Sequence, residues 1–204
     1  IQEMKQTEMI DNSFVIKKVF EKDTITSATK RLAGQIYSTY KGCNFKILTL
    51  GMGGLFFANN LISELKKKGM TNVELISAFS ERTGDNVSID PPQKADISGE
   101  NILIVDDLVS TGVTITTAIE VCKLLDALSV RTCALLDAPK KRLPSAKNLT
   151  LDFVGLRSSE DKHFFVGSGL DGGKRMSEEA RYRVRLLPYI GVIIAPVDSE
   201  VDLT

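Results

Sequence analysis

Short apolar runs rich in β-branched residues are separated along this chain by longer segments whose apolar positions recur with a helical period. Continuous apolar runs are typical of strands that are buried on both faces, and the periodic segments are typical of amphipathic helices. The pattern therefore predicts helices over about 23–40, 55–68 and 110–125, and strands over about 14–20, 45–50, 72–78, 102–105, 130–136, 151–154, 163–166 and 190–195.

Strands that alternate with helices predict an α/β fold with a mostly parallel core sheet. The ligands of such sheets bind beyond the carboxyl ends of the strands. Three chemically notable segments fall at predicted strand ends: the acidic pair Asp106–Asp107, the glycine-rich segment Gly51–Gly54, and Asp137. We therefore expect these segments to meet at one ligand site.

The polar segment 80–99 does not fit this alternation. It contains Gly84, Gly99 and the pair Pro91–Pro92, and it has no sustained period. Long loops without secondary structure in compact domains are commonly functional lids. The segment therefore predicts a lid over about residues 80–95, with a disordered hairpin tip as the alternative interpretation.

The most specific chemical signal lies between Asn101 and Thr117, where a buried strand, two acids, a hydroxyl-rich turn and a helical pattern follow one another. The turn Ser110–Thr114 brings backbone N–H groups, hydroxyls and the positive end of a helix dipole to one point, which suits a phosphate group. The adjacent carboxylates can accept hydrogen bonds from sugar hydroxyls or bind Mg²⁺. Together these features predict a site for a sugar phosphate.

Composition narrows the class of protein. The chain has 204 residues, enough for one domain, and carries 26 Lys and Arg against 26 Asp and Glu. Zero net charge gives no sign of a nucleic-acid partner, and no apolar run approaches the roughly 18 residues of a membrane span. Cys43, Cys122 and Cys133 are an odd number of cysteines in apolar surroundings. They predict buried thiols in a cytoplasmic protein.

The acidic pair is followed by two apolar residues, one variable residue and Thr-Gly-x-Thr. This order resembles the phosphoribosyl-pyrophosphate (PRPP) motif of type I phosphoribosyltransferases. Over about residues 12–195 the chain is similar to the hypoxanthine-guanine branch of that family, through Asp96–Gly99, Asp152–Gly155, Phe164–Asp171 and Arg185–Gly191. The resemblance implies a type I phosphoribosyltransferase fold in a single domain, 1–204, with a parallel core sheet flanked by helices at about 23–150. A small hood would come from about 1–22 and 151–204.

The resemblance also implies how the sugar phosphate is bound. Asp106 and Asp107 would hold the ribose hydroxyls, and Asp107 and Ser110 occupy the catalytic positions of the family. The 5′-phosphate would be bound by Ser110, Thr111, Gly112, Val113 and Thr114.

The resemblance further implies which residues bind the pyrophosphate group, the metal ion and the base. Met52 and Gly53 would lie in a pyrophosphate loop, where the family often has a cis peptide, here at Gly51–Met52. The cofactor would be Mg²⁺, bound by Asp171 and Asp107. Phosphate charges would pair with Arg142 and Arg185, and the base would contact Ala138, Phe164, Phe165 and Asp171.

Two positions depart from the purine branch at the base itself. Ser110 stands where the branch has an Asp that handles the proton of the attacking nitrogen, and a serine cannot act as a carboxylate base. Ala138 stands where the branch has a Lys that donates to the 6-oxygen of the base. Lys140 or Lys141 could reach in from the same loop.

Other departures concern the pyrophosphate loop and the C-terminal part. Met52 replaces the Lys of Leu-Lys-Gly-Gly, Ser168 replaces an aromatic residue, and about eight extra residues separate Asp171 from Arg185.

One hypothesis is a Mg²⁺-dependent transferase that joins PRPP to a purine-like base of the hypoxanthine or guanine type. The alternative is a non-catalytic or base-altered relative that binds PRPP or a nucleoside monophosphate. The family implies a homodimer or homotetramer in either case.

Overall fold

The computed structural model describes residues 7–10, 14–83, 86–90, 92–171, 173 and 176–194. Its helices are α1 (Lys22–Tyr40), α2 (Gly51–Lys67), α3 (Lys94–Ile97), α4 (Val113–Leu124) and α5 (Glu178–Arg185). Its strands are β1 (Thr7–Ile10), β2 (Phe14–Phe20), β3 (Lys46–Leu50), β4 (Glu74–Ala78), β5 (Ser80–Thr83), β6 (Asn86–Ile89), β7 (Asn101–Val109), β8 (Ser129–Asp137), β9 (Phe153–Arg157), β10 (Phe165–Val166) and β11 (Ile190–Ile194). Two short 3₁₀ helices, Pro139–Lys141 and Pro144–Ala146, follow β8.

A central sheet of five parallel strands runs in the order β4-β3-β7-β8-β9. The predicted α/β architecture with a parallel core sheet is therefore confirmed. Val105 of β7 pairs with Thr49 of β3 on one side and with Cys133 of β8 on the other. The carboxyl ends of β3, β7 and β8 thus lie side by side, which brings together the three segments that the sequence placed at strand ends.

Strand β7 is longer than the apolar run that predicts it. The run ends at Val105, but the strand continues to Val109, because Leu108 and Val109 pair with Leu136 and Asp137 of β8. The expectation that the acidic pair follows the strand was therefore wrong. Both acids belong to the strand itself, and this pairing fixes their backbone.

The prediction of a structureless segment at 80–99 was also wrong. Strands β5 and β6 form an antiparallel hairpin, and α3 follows them. Ile89 is buried in the core together with residues of α4, and Val87 packs against the same cluster. Tertiary packing of these two side chains supplies what the local sequence does not. Gly84, Asp85 and Pro91 lie outside the described residues, and the role of the segment as a lid stays a prediction.

The chain divides into two compact units, formed by 26–161 and by the described residues of 1–25 and 162–204. The second unit holds a four-stranded antiparallel sheet in the order β1-β2-β11-β10. Its own core contains Ile16, Val166, Met176, Ala180, Val184 and Tyr189. The bounds predicted for a core and a hood stay predictions.

Two of the three cysteines are buried as expected. Cys122 and Cys133 have no exposed surface, whereas Cys43 is exposed, contrary to the prediction. Cys43 lies in the turn after α1, where its N–H donates to the carbonyl of Tyr40 at 2.9 Å. The neighbouring Phe45 is the residue that enters the core. In the described part of the chain, no helix is long and apolar enough to cross a membrane.

Candidate functional site

The acidic pair on β7 lies directly against the first turn of α2. A Cβ atom added to Gly53 would overlap the Asp107 carboxylate, with Oδ1 only 2.9 Å away. A Cβ atom on Gly54 would lie 2.9 Å from the carbonyl oxygen of Val105. The two glycines therefore allow the helix backbone to approach the acids more closely than any side chain would permit.

Asp106 and Asp107 differ in their surroundings. Asp106 is buried, with 8% of its surface exposed, and its Oδ1 accepts the N–H of Asp107 at 3.0 Å. Burial raises the pKa of Asp106 well above its usual value, and the adjacent charge of Asp107 raises it further. Asp107 is half-buried, and its Oδ1 accepts the N–H of Leu108 at 3.0 Å. Asp107 is thus the more accessible of the two carboxyl groups.

A small cavity lies at the turn between β7 and α4. Its volume is about 100 Å³, several times the roughly 30 Å³ that one water molecule takes up in the liquid. Gly112 precedes the helix with a φ of 81°, and a Cβ atom there would lie 2.8 Å from Ala146 and 2.9 Å from Arg142. The cavity is lined by Asp106, Leu108, Val109, Ser110, Thr111, Gly112, Thr114 and Ile115. The hydroxyls and helix N-terminus predicted for a phosphate therefore line one partly open cavity.

Arg142 stabilises this turn through hydrogen bonds to its backbone carbonyl groups. One of its Nη atoms donates to the carbonyl oxygens of Val109, at 2.7 Å, and of Ser110. The other forms an ion pair with Asp137, and both side chains are more than nine-tenths buried. The N–H of Leu143 adds a bond to the carbonyl of Thr111 at 3.1 Å. The structure thus gives Arg142 protein partners, while its predicted pairing with phosphate stays a prediction.

The structure adds Arg157 to the strand-end site of Asp137, and it gives Asp137 two ion pairs that were not predicted from the sequence. Asp137 stands opposite Val109 in the β7–β8 ladder, and Val109 directly precedes the turn Ser110–Thr114. Its second oxygen is 3.6 Å from Nε of Arg157, which is largely exposed. A cavity of about 520 Å³ opens beside Asp137, Arg142 and Arg157. A signal was available, because an acid at a buried strand end needs a nearby cation and Lys140–Arg142 follows within five residues.

The segment expected as a pyrophosphate loop is helical. Helix α2 begins at Gly51, which has a φ of 65°, so Gly51–Gly54 forms its first turn. The peptide bond between Gly51 and Met52 is trans, contrary to the family expectation. The Met52 side chain is 51% exposed and adds no charge. Only backbone groups of this turn can therefore serve a pyrophosphate group.

Of the two positions that depart from the purine branch at the base, Ala138 has no side-chain donor and Ser110 has only a hydroxyl group. Ala138 is completely buried, and its N–H donates to the carbonyl of Val109 at 3.0 Å. Ser110 is half-buried, and its carbonyl is held by Arg142. Lys140 is exposed. Burial lowers the pKa of the half-buried Lys141, although nearby acidic residues offset part of the effect.

In the second unit, Asp171 is surrounded by donors. Its Oδ2 lies 2.8 Å from Arg185 and 3.0 Å from Arg181, and its Oδ1 accepts the N–H of Gly173 at 3.2 Å. Burial alone would raise the pKa of Asp171, but these two arginines and the Gly173 N–H outweigh it and lower the pKa below its usual value. Asp171 is therefore an ionised carboxylate whose charge is already compensated.

Phe164 and Phe165, which were expected to contact the base, both belong to the second unit but differ in exposure. The Phe164 side chain is 61% exposed, and Gly173 lies next to its ring, since a Cβ atom on Gly173 would be 3.5 Å from Phe164 Cε1. Phe165 is buried and pairs with Val192 across β10 and β11. An exposed ring is available to stack on a planar ligand, whereas Phe165 can contribute only its backbone.

The carboxylates fit the implied Mg²⁺ unequally. In the described ranges, no three His, Cys, Asp or Glu side chains converge into a metal site. A Mg²⁺ ion that arrives with substrate phosphates keeps several waters and needs only one or two carboxylates. The half-buried Asp107 fits that requirement. Asp171 does not fit it, because two guanidinium groups already occupy its outer oxygen.

Comparison with known proteins gives consistent similarities. A family model described as a phosphoribosyl transferase domain matches residues 16–171 of this chain. The hypoxanthine phosphoribosyltransferase of Buchnera aphidicola is 29% identical over 88% of this chain and 96% of its own length. The hypoxanthine-guanine phosphoribosyltransferase of Streptococcus pneumoniae is 29% identical over 94% of this chain and 100% of its own length. The crystal structure of a Bacillus anthracis hypoxanthine-guanine phosphoribosyltransferase has the same fold, with a TM-score of 0.69 and 23% identity over 88% of this chain and 98% of that one.

Proposed function

This chain belongs to the phosphoribosyl transferase family, and we propose on that premise that it transfers the 5-phosphoribosyl group of PRPP to a purine-like base and releases pyrophosphate. The observation that carries the proposal is the cavity between β7 and α4, which Asp106 and the turn Ser110–Thr114 line. Two similar relatives act, by their names, on hypoxanthine or on hypoxanthine and guanine. We therefore propose a 6-oxopurine as the base.

The ribose phosphate would be held entirely by the first unit. The 5′-phosphate would enter the cavity and accept hydrogen bonds from the turn Ser110–Thr114 and from the N-terminus of α4. Asp106 and Asp107 would accept hydrogen bonds from the ribose hydroxyls. The closeness of Gly53 to Asp107 supports this assignment, because it would bring backbone N–H groups of α2 next to the sugar.

The reaction is a displacement at ribose C1. A ring nitrogen of the base forms the new bond with its lone pair, and the bonding pair of the old bond leaves with pyrophosphate. Its transition state resembles an oxocarbenium ion, so the protein chiefly positions the two partners and stabilises charge. Mg²⁺ bound to PRPP would neutralise the leaving pyrophosphate. The proton of the attacking nitrogen must leave as well, and Ser110 can relay it but cannot retain it.

The test is an assay for both products. Protein, PRPP and Mg²⁺ are incubated separately with hypoxanthine, guanine, xanthine, adenine and uracil, and nucleotide and pyrophosphate are measured. We expect equal amounts of nucleotide and pyrophosphate with at least one of the three 6-oxopurines. If no base gives either product, the proposed transfer is refuted.

A second candidate function is favoured by Ser110 and Ala138, which replace the two groups that the purine branch uses on the base. It is a binding protein for PRPP or a nucleoside monophosphate that has little or no turnover. Calorimetric binding of PRPP together with the absence of product from all five bases would support this candidate. Steady turnover would exclude it.

Three further expectations rest on the family alone. We propose that PRPP-bound Mg²⁺ is the cofactor, that the protein is a homodimer or homotetramer, and that it is cytoplasmic. Size-exclusion chromatography with light scattering distinguishes a monomer from the two proposed assemblies.

A further inference from the structure

Asp171, which the family resemblance assigns to Mg²⁺, is held by two cations of helix α5. Arg185 and Arg181 approach the same oxygen, Oδ2, at 2.8 Å and 3.0 Å. The other oxygen accepts a backbone N–H from Gly173 at 3.2 Å. Both oxygens of this carboxylate therefore have donors from the protein itself.

Helix α5 presents these two arginines side by side. Arg181 and Arg185 are four residues apart and so lie on the same face of the helix. Ser177 caps the helix by accepting the N–H of Ala180 at 3.2 Å. Ala180 and Val184 are buried in the core of the second unit. The position of Arg181 is thus fixed by a capped and packed helix.

A divalent ion at Asp171 would meet strong repulsion in this arrangement. Mg²⁺ bonds carboxylate oxygen at about 2.0–2.1 Å, so an ion on Oδ2 would lie within about 5 Å of both guanidinium groups. Two positive charges at that distance from a dication oppose its binding. Either Arg181 moves away or the metal does not bind at Asp171.

We propose that Arg181 takes the place of the metal at Asp171, and that Arg181 and Arg185, oriented by this carboxylate, bind a pyrophosphate group directly. The three side chains together carry one net positive charge. Arginine presents a planar fork of donors that matches phosphate oxygens. Arg185 uses one donor on Asp171 and another on the carbonyl of Gly169 at 3.0 Å, which leaves further N–H groups for a ligand.

Arg181 lies between Asp171 and Arg185. The family resemblance implies about eight extra residues in this segment.

This inference rests on the proposed function, but its test measures binding rather than turnover. Inorganic pyrophosphate is titrated calorimetrically into the wild type, Arg181→Gln, Arg181→Lys and the control Arg183→Gln, in EDTA and in Mg²⁺. Arg183 lies on the same helix and is exposed, so it matches Arg181 in charge and element. Thermal melting of each variant shows that the fold is retained.

We expect the wild type and Arg183→Gln to bind pyrophosphate in EDTA, without any divalent metal. Arg181→Gln should bind roughly tenfold or more weakly in EDTA, because hydrogen bonds to charged groups are lost, and Mg²⁺ should restore most of this loss. Arg181→Lys should lie between the two. Binding by the wild type that requires Mg²⁺, or an Arg181→Gln variant that equals the wild type in EDTA, would overturn the inference. A protein that binds pyrophosphate as expected but makes no nucleotide refutes the proposed transfer and leaves the inference intact.

Discussion

Gly53 lies so close to Asp107 that a single added methyl group would occupy the space of its carboxylate. Gly53 lies in the first turn of α2, directly after β3, and Asp107 lies near the end of the neighbouring strand β7. A glycine is therefore needed at position 53 because the Asp107 carboxylate leaves no room for a side chain, and not because of its own backbone angles. This contact links the glycine-rich turn to the sugar site.

Gly53→Ala tests that contact. The new Cβ must push the Asp107 carboxylate out of its position, so we expect PRPP affinity to fall by about tenfold or more, which corresponds to roughly 1.4 kcal/mol. Helix propensity alone would favour the alanine by about 1 kcal/mol. Gly34→Ala in α1 is the matched control, because its Cβ would lie 3.9 Å from the nearest atom of Lys68. Equal affinities for the two variants in calorimetry would contradict the assignment.

Asp107→Asn tests the position of the ribose directly. The amide has one acceptor oxygen instead of two and carries no charge, so its hydrogen bonds to the ribose hydroxyls are weaker and PRPP binding should weaken whether or not the protein is catalytic. We expect a loss of about tenfold, in the range of a hydrogen bond to a charged group. Asp126→Asn is the control, since Asp126 pairs with Lys94 at the exposed surface and its φ of 62° suits asparagine. Unchanged affinity for Asp107→Asn would mean that the ribose lies elsewhere.

The buried ion pair between Arg142 and Asp137 should contribute more to the free energy of unfolding than the exposed pair between Arg157 and Asp137. Arg142→Met removes the buried partner of Asp137 and leaves only the largely exposed Arg157 beside it, and the loss of a buried partner typically costs about 3–5 kcal/mol. Arg157→Met removes a largely exposed cation at 3.6 Å from the same carboxylate and should cost less than about 1 kcal/mol. Urea unfolding of both variants measures the two free energies. Similar losses in both would show that burial does not determine the strength of these pairs.

Ser110→Asp should restore an acceptor for the proton of the attacking nitrogen. If the chain is a transferase, the turnover number with hypoxanthine or guanine should rise, because general-base catalysis typically contributes about 10²–10⁴-fold. Ser110→Asn, which has a similar shape and no charge, should give no rise. The completely buried Ala138 is a poorer site for repair, since a lysine there would have to bury its ammonium group. No difference between the aspartate and asparagine variants would mean that the proton leaves by another route.

Thiol reactivity should separate the three cysteines. Burial raises the pKa of Cys122 to about 11 and also raises the pKa of Cys133 above its usual value, with a further contribution from Asp152. A raised pKa keeps a thiol protonated as pH increases, so at pH 8 these two should be unreactive because the thiolate is the nucleophile. Titration with a chromogenic disulfide should therefore detect one thiol, that of Cys43, in the folded protein and three after unfolding. Two or more reactive thiols at pH 8 in the folded state would contradict this prediction.

The sequence predicted the core better than the edges of the site. The run Ile102–Val105 identified a buried strand because every residue of it is apolar, and the structure buries all four. The same rule stopped the strand too early, since Asp106 and Asp107 interrupt the apolar run while their backbone continues the ladder. Strand ends are set by pairing with neighbours, which a local pattern does not contain.

The ion pairs of the site were harder to predict for a related reason. Asp137 and Arg142 are five residues apart, and only the 3₁₀ turn between them brings their side chains together. Arg181 meets Asp171 across ten residues, and the placement of helix α5 brings the two side chains together. The residue types were visible in the sequence, but their partners depend on the folded path of these connections.

Arg142 also has a consequence for the speed of binding. Because it holds the carbonyl oxygens of Val109 and Ser110, the planarity of the peptide bond turns the N–H groups of Ser110 and Thr111 to the opposite side. The turn thus has its binding geometry before a phosphate arrives, and no ordering step has to precede capture. Association of a phosphate ligand should then be limited by diffusion and charge rather than by rearrangement of the loop.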